Sequence, residues 1–347
     1  MNISSTGLTK YPALPQPYLL FLGDVDQTGY AKTAFGLAQW ADDKCIGEYS
    51  FNKSGLTTGL PRMTPTEAAR AGAKSLVIGV ANQGGRISAA WIPSLVDALK
   101  AGLSIISGLH IPLSSIPELA QASRDTGGAL IDIRRPPSDI PVGTGRKRSG
   151  RRLLTVGTDC ALGKKYTALA IHRAFAERNV NADFRATGQT GIMIAGGGIP
   201  MDAVVSDFEA GAAEILSPDA PADHWDVIEG QGSLFNPAYA AVSLGLLHGS
   251  QPDVFVVCHD PSRSRMLGLE DYAVPSIEEV IDLTSQLGRL TNPDIRCAGV
   301  SLNTSSMDSK AATRLMARES DRLVGLPVAD PIRGGPQFER LVTNCLL

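Results

Sequence analysis

The segment Gly157-Thr158-Asp159-Cys160-Ala161-Leu162-Gly163-Lys164-Lys165 joins a glycine-containing turn to a pair of lysines, the make-up of a phosphate cradle. The apolar run Leu153 to Val156 precedes it, and a helical pattern through Ala168, Ala170, Ile171 and Phe175 follows. In that strand–loop–helix order, backbone N–H groups converge on phosphate oxygens and the helix adds its positive end. Lys164 would supply a full charge. A loop built for Mg-nucleotide has Ser or Thr next, whose hydroxyl ligates the metal. Lys165 stands there instead, and an ammonium repels a metal cation. We therefore expect a phosphate ligand and no metal. Cys160 lies inside the loop, where a helix N-terminus and two lysines are expected to lower its pKa.

Three further polar, glycine-rich segments follow apolar runs: Thr187-Gly188-Gln189-Thr190-Gly191, Glu229-Gly230-Gln231-Gly232-Ser233, and His259-Asp260-Pro261-Ser262-Arg263-Ser264-Arg265. Ligands of open α/β sheets bind at the carboxyl ends of strands, so these should converge on the loop. Gln189 and Thr190 offer hydrogen bonds to a substrate. Glu229 follows Val227-Ile228, where phosphate-loop proteins place an acid; burial could raise it into the range of a general base. His259 has that range unperturbed. Asp202 and Asp207 read as helix caps, with Asp207 and Glu209 as further candidate acids. Arg263, Arg265 and Arg333 are suited to gripping carboxylates through paired donors.

These residues need elements to hold them. Residues 1–142 alternate apolar runs (Tyr18–Gly23, Ser75–Val80, Leu103–Ile106, Ala129–Asp132) with helical patterns at Tyr30–Trp40, around Trp91–Leu99 and at Ile116–Ala122. That alternation predicts a Rossmann-like parallel sheet. Residues 143–152, Gly-Thr-Gly-Arg-Lys-Arg-Ser-Gly-Arg-Arg, read as a basic linker: a solvated connector or, more sharply, a second phosphate contact. Residues 153–347 then give strands at Leu153–Val156, Ala182–Thr187, Trp225–Glu229, Val254–Cys258 and Cys297–Leu302. Helices are expected at Lys164–Glu177, Ala203–Leu216, Ala238–Leu247, Ile277–Leu287 and Ser309–Arg318. The fold class is α/β, a Rossmann-like domain followed by a parallel-sheet domain of P-loop NTPase type.

With 347 residues, 43% of them hydrophobic, and a net charge of −3, a nucleic-acid partner is not expected. No apolar run reaches membrane-spanning length and no signal pattern opens the chain, so a cytoplasmic protein without a membrane partner is expected. The five cysteines are scattered, which points to neither a zinc site nor a disulfide framework.

The form Gly-Thr-Asp-x-x-x-Gly-Lys resembles the loop of dethiobiotin synthetase and its relatives. Taken with Thr187–Gly191, Glu229–Ser233 and His259-Asp260-Pro261, it makes nearly the whole chain resemble the DgcN family of two-domain proteins. That family is understood to contain D-glutamate N-acetyltransferases. The resemblance implies acetyl-coenzyme A as co-substrate, an acidic amino acid as acceptor, and small-molecule partners only; a homo-oligomer is also expected. Coenzyme A carries a pyrophosphate and a 3′-phosphate, and thioester transfer requires no Mg²⁺. The amino group must lose a proton before attack, to His259 first, Glu229 second or Asp207. A covalent route through Cys160 competes, but a thiol in the phosphate loop would face pyrophosphate and not the thioester. An ATP- and Mg²⁺-dependent ligase or kinase, with Glu229 and Asp202 on the metal, is the alternative, and a non-catalytic nucleotide sensor a third.

Overall fold

In the computed structural model, residues 14–27, 30–51, 56–80 and 85–347 are described. The chain forms two units, each built on a parallel sheet.

The first unit comprises the described part of Lys10–Pro136 and, from later in the chain, Gln189–Pro200. Its elements run β1 (Tyr18–Gly23), α1 (Lys32–Trp40), β2 (Cys45–Ser50), α2 (Pro65–Arg70), β3 (Ser75–Ile78), α3 (Ile92–Lys100), β4 (Ser104–Ser107), α4 (Pro117–Thr126) and β5 (Leu130–Asp132). The strands lie in the order β2-β1-β3-β4-β5, all parallel. This is a doubly wound order with its switch point between β1 and β3. β1 and β3 are buried throughout, as continuous apolar runs require. Sequence reading misses β2 and α2. β2 is an edge strand whose fully buried Glu48 breaks the apolar pattern and is held by the Thr58 N–H at 2.6 Å and its hydroxyl at 2.7 Å. α2 starts at a capping box, Thr64 with Glu67, and has proline at its first position.

The second unit comprises Pro137–Gly188 and Met201–Leu347. It opens with β6 (Arg151–Gly157), α5 (Lys164–Glu177) and β7 (Ala182–Arg185). Helix α6 (Gln189–Ala195) belongs to the first unit, where Lys44 donates to the Ile194 carbonyl at 2.7 Å. The second unit resumes with α7 (Glu209–Leu216), β8 (Trp225–Ile228), α8 (Ala240–Ser250), β9 (Val254–His259), β10 (Arg265–Met266), β11 (Leu269–Ala273), α9 (Ile277–Gly288), β12 (Arg296–Leu302), α10 (Ser309–Arg322), β13 (Val328–Ala329) and α11 (Pro336–Leu346). The six-stranded order is β13-β12-β9-β6-β8-β7, all parallel, while β10 and β11 form a small hairpin. β6 is central between β8 and β9, so the loop after it opens at the point where the winding reverses. The helix expected over Ala203–Leu216 is instead two single turns, Met201–Ala203 and Ser206–Phe208, before α7.

The basic segment is exposed over most of its length, as a connector would be, but two of its arginines turn inward. Arg148 and Arg152 are buried. Arg148 donates to the Ser217 carbonyl at 2.7 Å and the Gly249 carbonyl at 2.6 Å. Arg152 donates to the Ser217 hydroxyl at 2.7 Å and to the Pro218, Ser149 and Arg148 carbonyls at 2.9, 3.0 and 3.1 Å. Guanidinium forks fold this chain segment onto the amino-terminal end of the sheet.

Candidate active site

The loop after β6 has the backbone of an anion cradle. Ala161 and Gly163 take positive φ values of 52° and 118°, and α5 begins at the next residue. Such alternation generates a concavity lined by N–H groups. Lys164 is buried and donates from Nζ to the Asp159 carbonyl at 2.8 Å. Burial pulls its pKa down, so an ammonium here gains from an arriving anion. Glycine is required where β8 exits past β6: a Cβ on Gly230 would lie 1.6 Å from the Thr155 carbonyl oxygen and 3.2 Å from the Lys164 side chain.

Not every loop residue faces a ligand. Asp159 is fully buried and accepts from Asn236 at 3.0 Å and from the Leu267 N–H at 2.8 Å, stapling the loop to its neighbours. Thr158 is buried, and its hydroxyl pairs with His259 Nδ1 at 3.0 Å. The expectation of an acidic thiol at Cys160 is overturned: burial raises its pKa, outweighing the favourable charge of Lys164.

Glu229 and His259 flank the loop from β8 and β9. The Glu229 carboxylate accepts from the Thr187 and Gly188 N–H groups, each at 3.0 Å. Burial raises its pKa, and the Lys165 ammonium works against that rise. Lys165 thus acts electrostatically on the acid that would share a metal with a Ser or Thr hydroxyl. His259 shifts the other way, lowered by burial, with Asp260 and Glu319 opposing.

The architecture and the loop can now be set beside known proteins. A domain of unknown function described as a P-loop domain (DUF1611_C) matches residues 141–342, and one described as a Rossmann-like domain (DUF1611_N) matches residues 46–136. The chain belongs to the DUF1611 family. Relatives from Pseudoalteromonas sp and Tritonibacter scottomollicae are each 48% identical to it. The alignments cover 94% and 92% of this chain and 98% and 96% of theirs, and both proteins are named D-glutamate N-acetyltransferase. The crystal structure of a DUF1611 family protein from Anabaena variabilis matches with a TM-score of 0.85 at 31% identity, covering 95% of this chain and 99% of its own.

In this DUF1611 chain two of the three arginines expected to hold a substrate also brace the fold. Arg263 donates to the Cys160 carbonyl at 2.8 Å and the Ala161 carbonyl at 2.9 Å, fixing the loop from outside. Arg333 pins the segment after β12, donating to the Thr304 hydroxyl at 2.7 Å, its carbonyl at 2.9 Å and the Met307 carbonyl at 2.6 Å. Arg265 is exposed on β10. Asp207 is exposed on a single helical turn, and no described hydrogen bond or ion pair joins it to the loop. Glu209 is buried against Gly245 of α8. Gln189 and Thr190 open α6 in the first unit, where the Thr190 and Thr33 hydroxyls are 3.1 Å apart.

Sequence reading missed two groups. Asn236 carries no motif, yet it anchors Asp159. Beyond His259 lies a cavity of about 250 Å³ between the ends of β9 and β12 and helices α9 and α10, with Arg318, Glu319 and Arg322 at one side. In the sequence its edges are marked by His259-Asp260-Pro261 and by the capping box Ser276/Glu279. Among the described residues, Asp183, His224 and Asp226 could together reach a metal, but Arg185 already pairs with Asp183 at 3.1 Å and Asp226 at 2.6 Å. A guanidinium in that position opposes a cation, and the cluster lies at the other end of the sheet from the loop.

Proposed function

We propose that this chain transfers the acetyl group of acetyl-coenzyme A to the amino group of D-glutamate. The observation that carries activity and acceptor is the 48% identity, over 94% of the chain, to a protein named D-glutamate N-acetyltransferase. The donor and the lack of a metal requirement are inferred from the loop. Its N–H groups and Lys164 suit a pyrophosphate, while Lys165 supplies fixed positive charge beside Glu229 where a nucleotide enzyme would need Mg²⁺. The ligase or kinase reading requires the hydroxyl that Lys165 replaces. A cytoplasmic homo-oligomer without nucleic-acid or membrane partners completes the proposal; no described helix is long and apolar enough to cross a membrane.

The transfer needs a neutral amine. A base removes one ammonium proton, the nitrogen attacks the thioester carbon, a C–N bond forms and the C–S bond breaks, and the departing coenzyme A thiolate takes the second proton from nitrogen to leave the neutral amide and the free thiol. Glu229 is taken as the base: burial raises the pKa of its carboxylate, which the Thr187 and Gly188 N–H groups hold in place, while the His259 Nδ1 is engaged by Thr158. His259, bonded to Thr158, positions the loop. Mass spectrometry of products from acetyl-coenzyme A with D- or L-glutamate tests the activity. Glu229→Gln should lower kcat by roughly 10²–10⁴-fold and abolish the rising limb of the kcat/KM pH profile. His259→Gln should retain that limb. A limb that survives in Glu229→Gln and vanishes in His259→Gln reverses the assignment.

A further inference from the structure

We infer that the cavity beside His259 seats the 3′-phosphoadenosine end of the coenzyme, with Arg318 receiving the 3′-phosphate. The inference rests on the coenzyme A reading above and adds where the cofactor's nucleotide lies and which way it runs.

Three observations carry it. The first is adjacency: His259 lines the cavity, and its Nδ1 stands 3.0 Å from the hydroxyl of Thr158 in the phosphate loop. A group in the cavity is therefore one side-chain contact away from the phosphate loop. In coenzyme A the ribose is bonded directly to the pyrophosphate. The thioester lies at the far end of the pantetheine arm, roughly 15 Å or more away at ordinary bond lengths. The acceptor must sit by the thioester, so the nucleoside and not D-glutamate belongs in the cavity.

The second is size and lining. About 250 Å³ is too small for a whole coenzyme and suits one nucleoside. Pro261, Ile277, Leu302 and Leu315 supply apolar walls for a base.

The third is charge. Arg322 engages both Glu319, at 2.7 Å, and Glu278. Among the described residues the guanidinium of Arg318 pairs with Glu319 alone, at 3.2 Å, and its side chain is 72% exposed. An exposed pair of that kind is weak, so Arg318 can turn to a phosphate without leaving a buried charge unpaired. The coenzyme then runs from the cavity across the loop, and its pantetheine arm leaves on the β8 side of β6, where it has to fold back for the thioester to reach Glu229, which lies beside the loop. This places the candidate base on the acyl side and His259 on the nucleotide side.

The test compares acetyl-coenzyme A, its 3′-dephospho analogue and acetyl-pantetheine as donors for the full-length enzyme. Wild type should favour acetyl-coenzyme A over the dephospho analogue by about tenfold in KM, the effect of one charge-assisted contact. Arg318→Gln should bring that preference below about threefold, with D-glutamate KM unchanged. Leu315→Phe, which fills the cavity, should raise KM for both nucleotide donors and leave acetyl-pantetheine turnover unaltered. A rise in D-glutamate KM with donor preference intact would assign the cavity to the acceptor and overturn the inference. So would a wild type indifferent to the 3′-phosphate, or nucleotide donors unaffected by Leu315→Phe. If calorimetry detects no binding of acetyl-coenzyme A to wild type, the donor reading itself fails.

Discussion

The two ends of β6 carry similar densities of positive charge and use them in opposite ways. At its amino-terminal end, Arg146, Lys147, Arg148 and Arg152 are engaged by the protein: Arg146 with Asp219, Lys147 with Asp253 at 2.8 Å, and the two buried arginines with backbone carbonyls. At its carboxyl-terminal end, Lys164 makes one hydrogen bond among the described residues, to a carbonyl of its own loop, in a backbone wound to receive an anion. An ammonium has three donors, so this lysine retains capacity for a ligand. Charge density does not mark a binding site. Donor capacity left after the fold is complete does.

That contrast breaks most visibly at Arg152. Removing it strands several buried carbonyls, so Arg152→Met should lose about 3–5 kcal/mol of stability in denaturant titrations. The acetyl-coenzyme A KM of the remaining folded protein should not change. A stable variant with impaired donor binding would make the basic segment part of the site after all.

Lys164→Met is the converse. The side chain is buried and its charge is disfavoured there, so stability should hold or rise. Donor affinity should fall about tenfold or more, for loss of a contact worth roughly 1.5–3 kcal/mol. Isothermal titration with coenzyme A reads the affinity, and a thermal melt the stability.

Arg263 sharpens the comparison, because it lies beside the loop yet serves the fold. Arg263→Lys breaks the two-pronged hold on the Cys160 and Ala161 carbonyls. The expected result is a rise of roughly threefold to tenfold in acetyl-coenzyme A KM, with acceptor KM unaffected. An increase confined to D-glutamate would restore the arginine as a substrate clamp.

These three residues also show what the sequence could disclose. The phosphate loop is legible because its chemistry is local: strand, Gly163, Lys164 and helix are contiguous, and α5 spans Lys164–Glu177 as expected. Long apolar strands such as β1 and β9 are legible for the same reason. The roles of Arg148, Arg152, Arg263 and Arg333 are not, since their partners are backbone carbonyls that leave no mark in residue identity. α6 is hidden because Gly188 and Gly191 give Gln189–Thr190 the look of a turn, and the helix is stabilised by packing in the first unit. The cavity beside His259 is made by four elements distant in sequence, and only His259-Asp260-Pro261 and the Ser276/Glu279 capping box mark its edges.

A loop that anchors a coenzyme without metal leaves the enzyme indifferent to Mg²⁺. Initial rates of D-glutamate acetylation should be measured on enzyme stripped with EDTA, with and without added Mg²⁺, in the absence of ATP, following N-acetyl-D-glutamate by mass spectrometry. Equal rates in both conditions and one free coenzyme A thiol per product are expected. A rate abolished by EDTA and restored by Mg²⁺, or product formed only when ATP is supplied, would contradict it.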